Sequence, residues 1–221
     1  MPLIIGVTGS IASGKSTACK LLESQGAVHC DADKLVHKMY DPDKPAFQRI
    51  IAEFGEDVVG TDGYIDRKIL GSKVFGNSEA MNRLTTAIGD IKKEVSGVMK
   101  EWRETLSKDD IALMEAVNFI EAGYGVFSDL TWLFAVETDI AVGRLRRRNH
   151  LSEEDANRRI LSQKDWRDRA AASDLITHND GDMESLNQNV LSTIGKVLDM
   201  YQSGTLETSK HHNWWDSKLT N

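Results

Sequence analysis

Gly9-Ser10-Ile11-Ala12-Ser13-Gly14-Lys15-Ser16-Thr17 decides the reading of this chain. It fits G-x-x-x-x-G-K-[ST]. It lies between a short apolar run, Leu3-Ile4-Ile5-Gly6-Val7-Thr8, and a segment from Thr17 to Gln25 that reads as a helix. Strand, glycine-rich loop and helix in that order make a phosphate cradle. The glycines let the backbone wrap closely around phosphate oxygens. The loop amides and the helix N-terminus turn positive dipole toward the anion. The phosphates of a nucleotide are therefore expected on Gly9, Ile11, Ala12, Ser13, Gly14, Lys15, Ser16 and Thr17, with Lys15 reaching the β- and γ-phosphates and the Ser16 hydroxyl ligating Mg²⁺.

Working outward, strand candidates are Leu3–Thr8, Ala27–Cys30, Ile111–Val117, Thr131–Val136 and Leu175–Thr177, with helical patterns between them. Strands alternating with helices imply an α/β fold: a mostly parallel sheet with helices on both faces. Two stretches break the alternation. Residues 33–107 hold no convincing strand, only helical patterns interrupted by Pro42, Pro45, Gly55, Gly60-Thr61-Asp62-Gly63 and Gly76-Asn77. Residues 144–169 form a second helical excursion, rich in arginine. The expected organisation is a nucleotide-binding core (1–32, 108–143 and 170–202), a helical insertion (33–107), a lid (144–169) and a tail (203–221). The tail, with His211-His212-Asn213-Trp214-Trp215, has no clear periodicity. It is read either as disordered or as docked through its tryptophans.

Composition narrows the function classes. In 221 residues, 40% hydrophobic and 28% charged content is that of a globular protein. A net charge of −7 argues against nucleic-acid and membrane-surface partners held by bulk electrostatics. Local basic clusters then suit small anionic ligands. Cys19 and Cys30 match no linear metal or redox spacing and read as small packing residues in a reducing cytoplasm. No signal peptide or membrane span is visible, and a cytoplasmic location is expected.

Three groups complete the candidate site. Asp31 and Asp33 follow the second strand. On an extended chain they project to one side, where two carboxylates suit Mg²⁺ organisation and acceptance of a hydroxyl proton. A solvated turn or a helix N-cap explains the same residues. Arg144 and Arg148 share a helix face, in a segment whose arginines outnumber their local acids. Planar guanidinium groups there suit a transferring phosphoryl group, and the competing reading is a solvated charged helix. After the last strand, Asn179 and Gly181 sit in a loop that offers backbone groups to a purine, or is a plain turn.

These residues resemble one family, the dephospho-coenzyme A kinases. Its T-G-G-I-[GA]-S-G-K-S-T opening is similar to Thr8–Thr17, and its D-A-D to Asp31-Ala32-Asp33. Its F-G and D-G-x-[IL]-x-R-x-x-L-[GA]-x-x-V-F resemble Phe54-Gly55 and Asp62–Phe75. The lid arginines resemble Arg144 and Arg148, R-I-x-S-Q is similar to Arg159–Gln163, and the ending to Arg169 and Ser173–Gly181. The match spans about residues 3 to 200. The resemblance implies a P-loop kinase that transfers the γ-phosphate of ATP to the 3′-hydroxyl of dephospho-CoA. It implies Asp33 as proton acceptor, Lys15, Arg144 and Arg148 on the migrating phosphoryl group, and Asp31, Asp33 and Arg67 toward the acceptor. Mg²⁺ would rest on Ser16, with Asp31 through water. Two departures fall on the acceptor side. Ala87-Ile88-Gly89-Asp90-Ile91 stands where the family has His-Pro, and Glu115–Glu121 replaces P-L-L-x-E. A glycine expected to loosen a helix at 89, and an added charge at 90, predict weaker acceptor binding. The rivals are another P-loop nucleoside or nucleotide kinase and a nucleotide-dependent switch protein. The latter's Asn-Lys-x-Asp is absent.

Overall fold

The structure, a computed structural model, describes residues 1–219. In chain order the elements are β1 (Leu3–Gly9), α1 (Lys15–Ser24), β2 (Val28–Asp31), α2 (Ala32–Lys38), α3 (Pro45–Phe54), α4 (Arg67–Val74), α5 (Ser78–Ile88) and α6 (Ile91–Thr105). They continue with β3 (Ile111–Glu115), β4 (Leu130–Ala135), α7 (Thr138–Asn149), α8 (Glu153–Leu161), α9 (Arg167–Ala170), β5 (Leu175–His178), α10 (Met183–Gln202) and α11 (Lys210–Leu219). The chain divides into two compact units: Met1–Cys30 together with the chain from Val98 onward, and Asp31–Gly97.

The first unit is built on a sheet ordered β2-β3-β1-β4-β5. β1 runs parallel to β3, with Val7 level with Glu115, and parallel to β4, with Gly9 level with Phe134. β4 pairs in parallel with β5. The central strands β1 and β4 are buried along their whole length, which is why they read as unbroken apolar runs. Leu3, Ile5, Val7, Leu113, Trp132 and Phe134 meet Ala18, Cys19 and Leu22 of α1 and Leu186, Val190 and Ile194 of α10 in one core. The buried Trp132 indole donates to Thr177 Oγ1 at 2.9 Å, so its polar edge is satisfied inside that core. A Cβ on Gly6 would lie 2.1 Å from the Phe119 ring, so the aromatic packs directly on strand backbone. The carboxyl ends of β1 and β3 therefore bring the loop after Gly9 and Glu115 to the same end of the sheet.

The second unit is helical. Its core is Tyr40, Phe47, Ile50, Phe54, Val58, Ile65, Leu70, Val74 and Ile88. The Asp62–Phe75 stretch is a turn that feeds a helix. Gly60 N–H donates to the Tyr64 carbonyl, and Val59 and Ile65 form an antiparallel bridge. Asp66 then caps α4, accepting from the Lys68 and Ile69 amides. The expectation of a helix-loosening glycine at position 89 is corrected. Gly89 ends α5 at φ 110, and Asp90 accepts from the Lys93 amide at the start of α6. The pair is a helix boundary, where a positive φ favours glycine.

Within the first unit, α7 and α8 pack through Val136, Ala141, Val142, Leu145, Ala156 and Ile160, with Ile11 and Ala12 of the glycine-rich loop against them. The tail resolves in favour of docking: α11 buries His211, whose ring stacks on Trp215 at 5.8 Å. The Trp215 ring lies where a Cβ on Gly123 would stand, 2.4 Å away. The rings of His211 and His212 face the carbonyls of Ile120 and Gly125. Residues 220 and 221 of the expected tail lie outside the described residues. Among the described residues no helix is long and apolar enough to cross a membrane.

Candidate active site

The glycine-rich loop has the local structure its sequence demands. Gly14 takes φ 92 immediately before α1, a conformation L-residues avoid. No side chain caps α1 and its first turn carries no acid, whereas α2, α4, α5, α8 and α10 are each capped by Asp, Asn or Ser. Its first amides thus keep their capacity for an anion. The Ser13 hydroxyl is buried with no hydrogen-bond partner among the described residues. Ala12, at φ 64, is one of two non-glycine residues in the left-handed region among the described residues. These features fit a loop shaped for phosphate.

Three long-range contacts hold the loop. Gln163 Oε1 accepts from the Ile11 amide at 2.8 Å. Asn179 Nδ2 donates to the Ser13 carbonyl at 2.8 Å, and a Cβ on Gly14 would strike that same amide at 2.2 Å. Arg144 donates to the carbonyls of Asn179 (2.7 Å) and Gly181 (2.8 Å) and reaches the Ala12 carbonyl at 3.5 Å. The expected purine-side loop thus has a second use, in which the Asn179 side chain and the Gly181 carbonyl tie the phosphate loop to the end of β5.

Behind the loop stands Glu115, whose side chain is 5% exposed. Its Oε1 accepts from Ser16 Oγ at 2.5 Å and lies 3.8 Å from Lys15 Nζ. Its Oε2 lies 3.1 Å from His29 Nε2. A carboxylate only accepts, so the His29 proton toward it sits on Nε2. Burial pushes the Glu115 carboxyl up. The hydrogen bonds from His29 and Ser16 and the Lys15 charge outweigh it and hold the group below its ordinary value. Glu115 thus keeps Ser16 and Lys15 in place. The expectation that the Glu115–Glu121 departure lies on the acceptor side is corrected for Glu115, which stands against Ser16 and Lys15 of the phosphate loop, and sequence reasoning did not single out His29. The signal within reach was an acid ending a buried strand level with β1.

The second unit holds Asp31, Asp33 and Arg67. The expectation that Asp31 and Asp33 share one side of an extended chain is corrected, because α2 begins at Ala32. Asp31 is its N-cap, with Oδ1 accepting from the amides of Asp33 and Lys34 and Oδ2 3.2 Å from Lys34 Nζ. Asp33 lies exposed in the first turn, where the helix dipole favours an ionised carboxylate. Arg67 Nη1 lies 3.0 Å from His37 Nδ1. Burial and then the Arg67 charge push the His37 ring below its ordinary value, against the opposing pull of Asp33 and Asp31. A groove of about 740 Å³ runs past Lys34, Lys38, Arg67 and Lys68, with Asp41, Asp62 and Asp66 also in its wall, so its charged lining is mixed.

The arginine segment is better balanced than its sequence suggests. Arg146 pairs with Glu153, Arg158 with Asp155 and Glu154, and Arg167 with Glu137 and Asp165. The buried Arg169 pairs with Glu121 at 2.8 Å. The arginines do outnumber their local acids, and Arg167 and Arg169 draw on acids distant in sequence, Glu137 and Glu121. Arg144 and Arg148 bond to neutral oxygens, Arg148 through Nε to Asn149 Oδ1.

Comparison with known proteins gives this arrangement its family. The dephospho-CoA kinase family model matches residues 3–185. A dephospho-CoA kinase of Geobacter sulfurreducens is 36% identical over 188 residues, covering 85% of this chain and 94% of that protein. A solved Thermus thermophilus structure covers 88% of this chain and 97% of its own, at 27% identity and TM-score 0.71. A solved dephospho-CoA kinase of Campylobacter jejuni covers 88% and 96%, at 25% identity and TM-score 0.57. With its phosphate loop, its parallel sheet and these relatives, the chain belongs to the dephospho-CoA kinase family of ATP-dependent kinases.

Proposed function

We propose that the chain phosphorylates the 3′-hydroxyl of dephospho-CoA with ATP, the loop Gly9–Thr17 holding the donor and the Asp31–Lys68 region the acceptor. The observation that carries the donor half is α1 starting on a left-handed Gly14 with no side-chain cap, backed by the Lys15–Glu115–Ser16 cluster. The amides of Gly14, Lys15 and neighbouring residues of the loop, with Lys15 Nζ, bind the β- and γ-phosphates. Ser16, held by Glu115, suits Mg²⁺, with Asp31 contributing through water; the ion supplies charge neutralisation between the phosphates. Asp33 takes the proton from the attacking hydroxyl. Arg144 and Arg148 neutralise charge on the migrating group, and Arg144 also ties the loops around the donor. Arg67, with Lys34 and Lys68, meets acceptor phosphates. Helices α7 to α9 act as a lid that excludes water as a rival acceptor. Asn179 and Gly181 present backbone to the purine. No covalent intermediate is needed, because positioning and electrostatics supply the rate.

ADP release measured with dephospho-CoA, adenosine, nucleoside monophosphates, pantetheine and no acceptor tests the reading. Dephospho-CoA should give the highest kcat/KM. A higher value for adenosine or a monophosphate would overturn the acceptor, and acceptor-independent turnover would point to a switch protein.

A further inference from the structure

Cys19, His29 and Glu115 come from three different elements, α1, β2 and β3, and converge behind the phosphate loop. One ligand atom from each, a thiol sulfur, a ring nitrogen and a carboxylate oxygen, lies within 4.8 Å of the other two. Cys19 and Glu115 are buried, and the His29 side chain is 9% exposed. Thiolate, imidazole and carboxylate together are a donor set for zinc rather than for magnesium or calcium, which take oxygen ligands. Zinc bonds of about 2.0–2.3 Å place tetrahedral ligands roughly 3.4–3.7 Å apart. Closing on an ion therefore asks for side-chain shifts of about 1 Å or less.

A second observation points the same way. His29 presents its two ring nitrogens to two carboxylates, Nε2 to Glu115 Oε2 at 3.1 Å and Nδ1 toward Glu23 Oε2 at 3.8 Å. Glu23 lies one helical turn after Cys19 on α1, so both project from one face toward β2. A carboxylate behind the far nitrogen of a ligating histidine is the arrangement that fixes the tautomer at zinc sites. Glu23 is half-exposed, which leaves the cluster open to solvent on that side.

We propose that Cys19, His29 and Glu115 form a zinc-binding site, with Glu23 orienting His29, through which Zn²⁺ inhibits phosphoryl transfer. On binding, the Cys19 thiol loses its proton to solvent. The His29 proton moves from Nε2 to Nδ1, where Glu23 accepts it. Glu115 coordinates through Oε2, and a water completes four ligands. One proton is released per ion. Glu115 Oε1 is the oxygen that holds Ser16 and faces Lys15, so a dication on Oε2 draws charge from that contact and repels Mg²⁺ from Ser16. None of these residues forms a linear metal motif, and the site exists only in the folded chain.

Cobalt(II) reports a thiolate ligand by a charge-transfer band. With only two cysteines in the chain, the band assigns its source. The full-length protein without nucleotide, titrated with Co²⁺, should give the band at one equivalent. Cys30→Ala should keep it and Cys19→Ala should lose it while remaining folded by circular dichroism. Zn²⁺ affinity, measured against a chromophoric chelator, should fall at least tenfold in Cys19→Ala and in His29→Gln. Micromolar Zn²⁺ should slow the wild-type kinase, and Cys19→Ala should resist it with unchanged activity in chelator. No band in the folded wild-type protein, a band lost with Cys30 instead, or zinc affinity unchanged in Cys19→Ala would each overturn the site. Zinc binding with undiminished turnover would overturn the inhibition.

Discussion

Replacing Asn179 by alanine separates two readings of the loop after β5. The Asn179 amide donates to the Ser13 carbonyl at 2.8 Å in a buried setting, 166 residues away in sequence. Alanine keeps the backbone available to a purine but leaves the Ser13 carbonyl without that donor. A buried acceptor left unsatisfied costs about 1–3 kcal/mol. Part of that cost is expressed as global instability and part as a loop no longer held in its phosphate-binding shape. If the loop carries it all, ATP binding weakens by about 5- to 150-fold. The expected result is a raised KM for ATP, an unchanged KM for the acceptor, and an unfolding free energy lower by about 1 kcal/mol or more, read from a lower urea midpoint at constant m-value. Steady-state kinetics and urea denaturation measure both. Wild-type ATP KM together with stability within about 0.5 kcal/mol of wild type would refute the tie and leave only the turn.

Lys15→Ala and Asp33→Asn should each fold normally and lose most turnover, Asp33→Asn by about 10² to 10⁴ in kcat; a wild-type kcat in Asp33→Asn would remove it as the base. The His37 ring, shifted down by burial and Arg67, contributes stability that is full above about pH 6.5 and is lost as pH falls from there through the lower folded value, because the unfolded ring binds the proton first. Tyr40, pushed up by burial to about 12, gives the opposite edge: its contribution is full below about pH 10 and is lost as pH rises toward 12. Denaturation midpoints across pH should show both slopes, with His37→Gln removing the acid one and Tyr40→Phe the alkaline one. Trp215→Ala should cost about 2 kcal/mol of stability through lost packing on His211 and the Gly123 backbone, leaving the ATP KM unchanged. Slower hydrogen exchange across 144–170 on adding an ATP analogue and Mg²⁺ is the expected lid signature, and equal exchange would leave a charged surface.

Local chemistry made much of this protein legible from its residues alone. The phosphate loop is contiguous, its glycines announce the backbone they permit, and the buried strands β1, β3 and β4 stand out as apolar runs between helices. The arginine partners and the boundary at Gly89-Asp90 were not legible, and the docking of the tail and the N-cap role of Asp31 each stood as one of two readings. Each depends on which helix starts where, and on side chains that meet only after packing. The same holds for the chemistry behind the loop. Cys19 and His29 are ordinary residues in a helix and a strand, and Glu115 is an acid at the end of an apolar run, 86 residues beyond His29. No periodicity links them, because they are joined by a parallel sheet whose order, β2-β3-β1-β4-β5, differs from the order of the chain. The loop's backbone pattern is a property of consecutive φ and ψ angles, so the local sequence announces it, while Gln163, Asn179 and Arg144 hold it from afar. The cluster that holds Ser16 and Lys15 is a property of strand adjacency, and only the tertiary structure decides that.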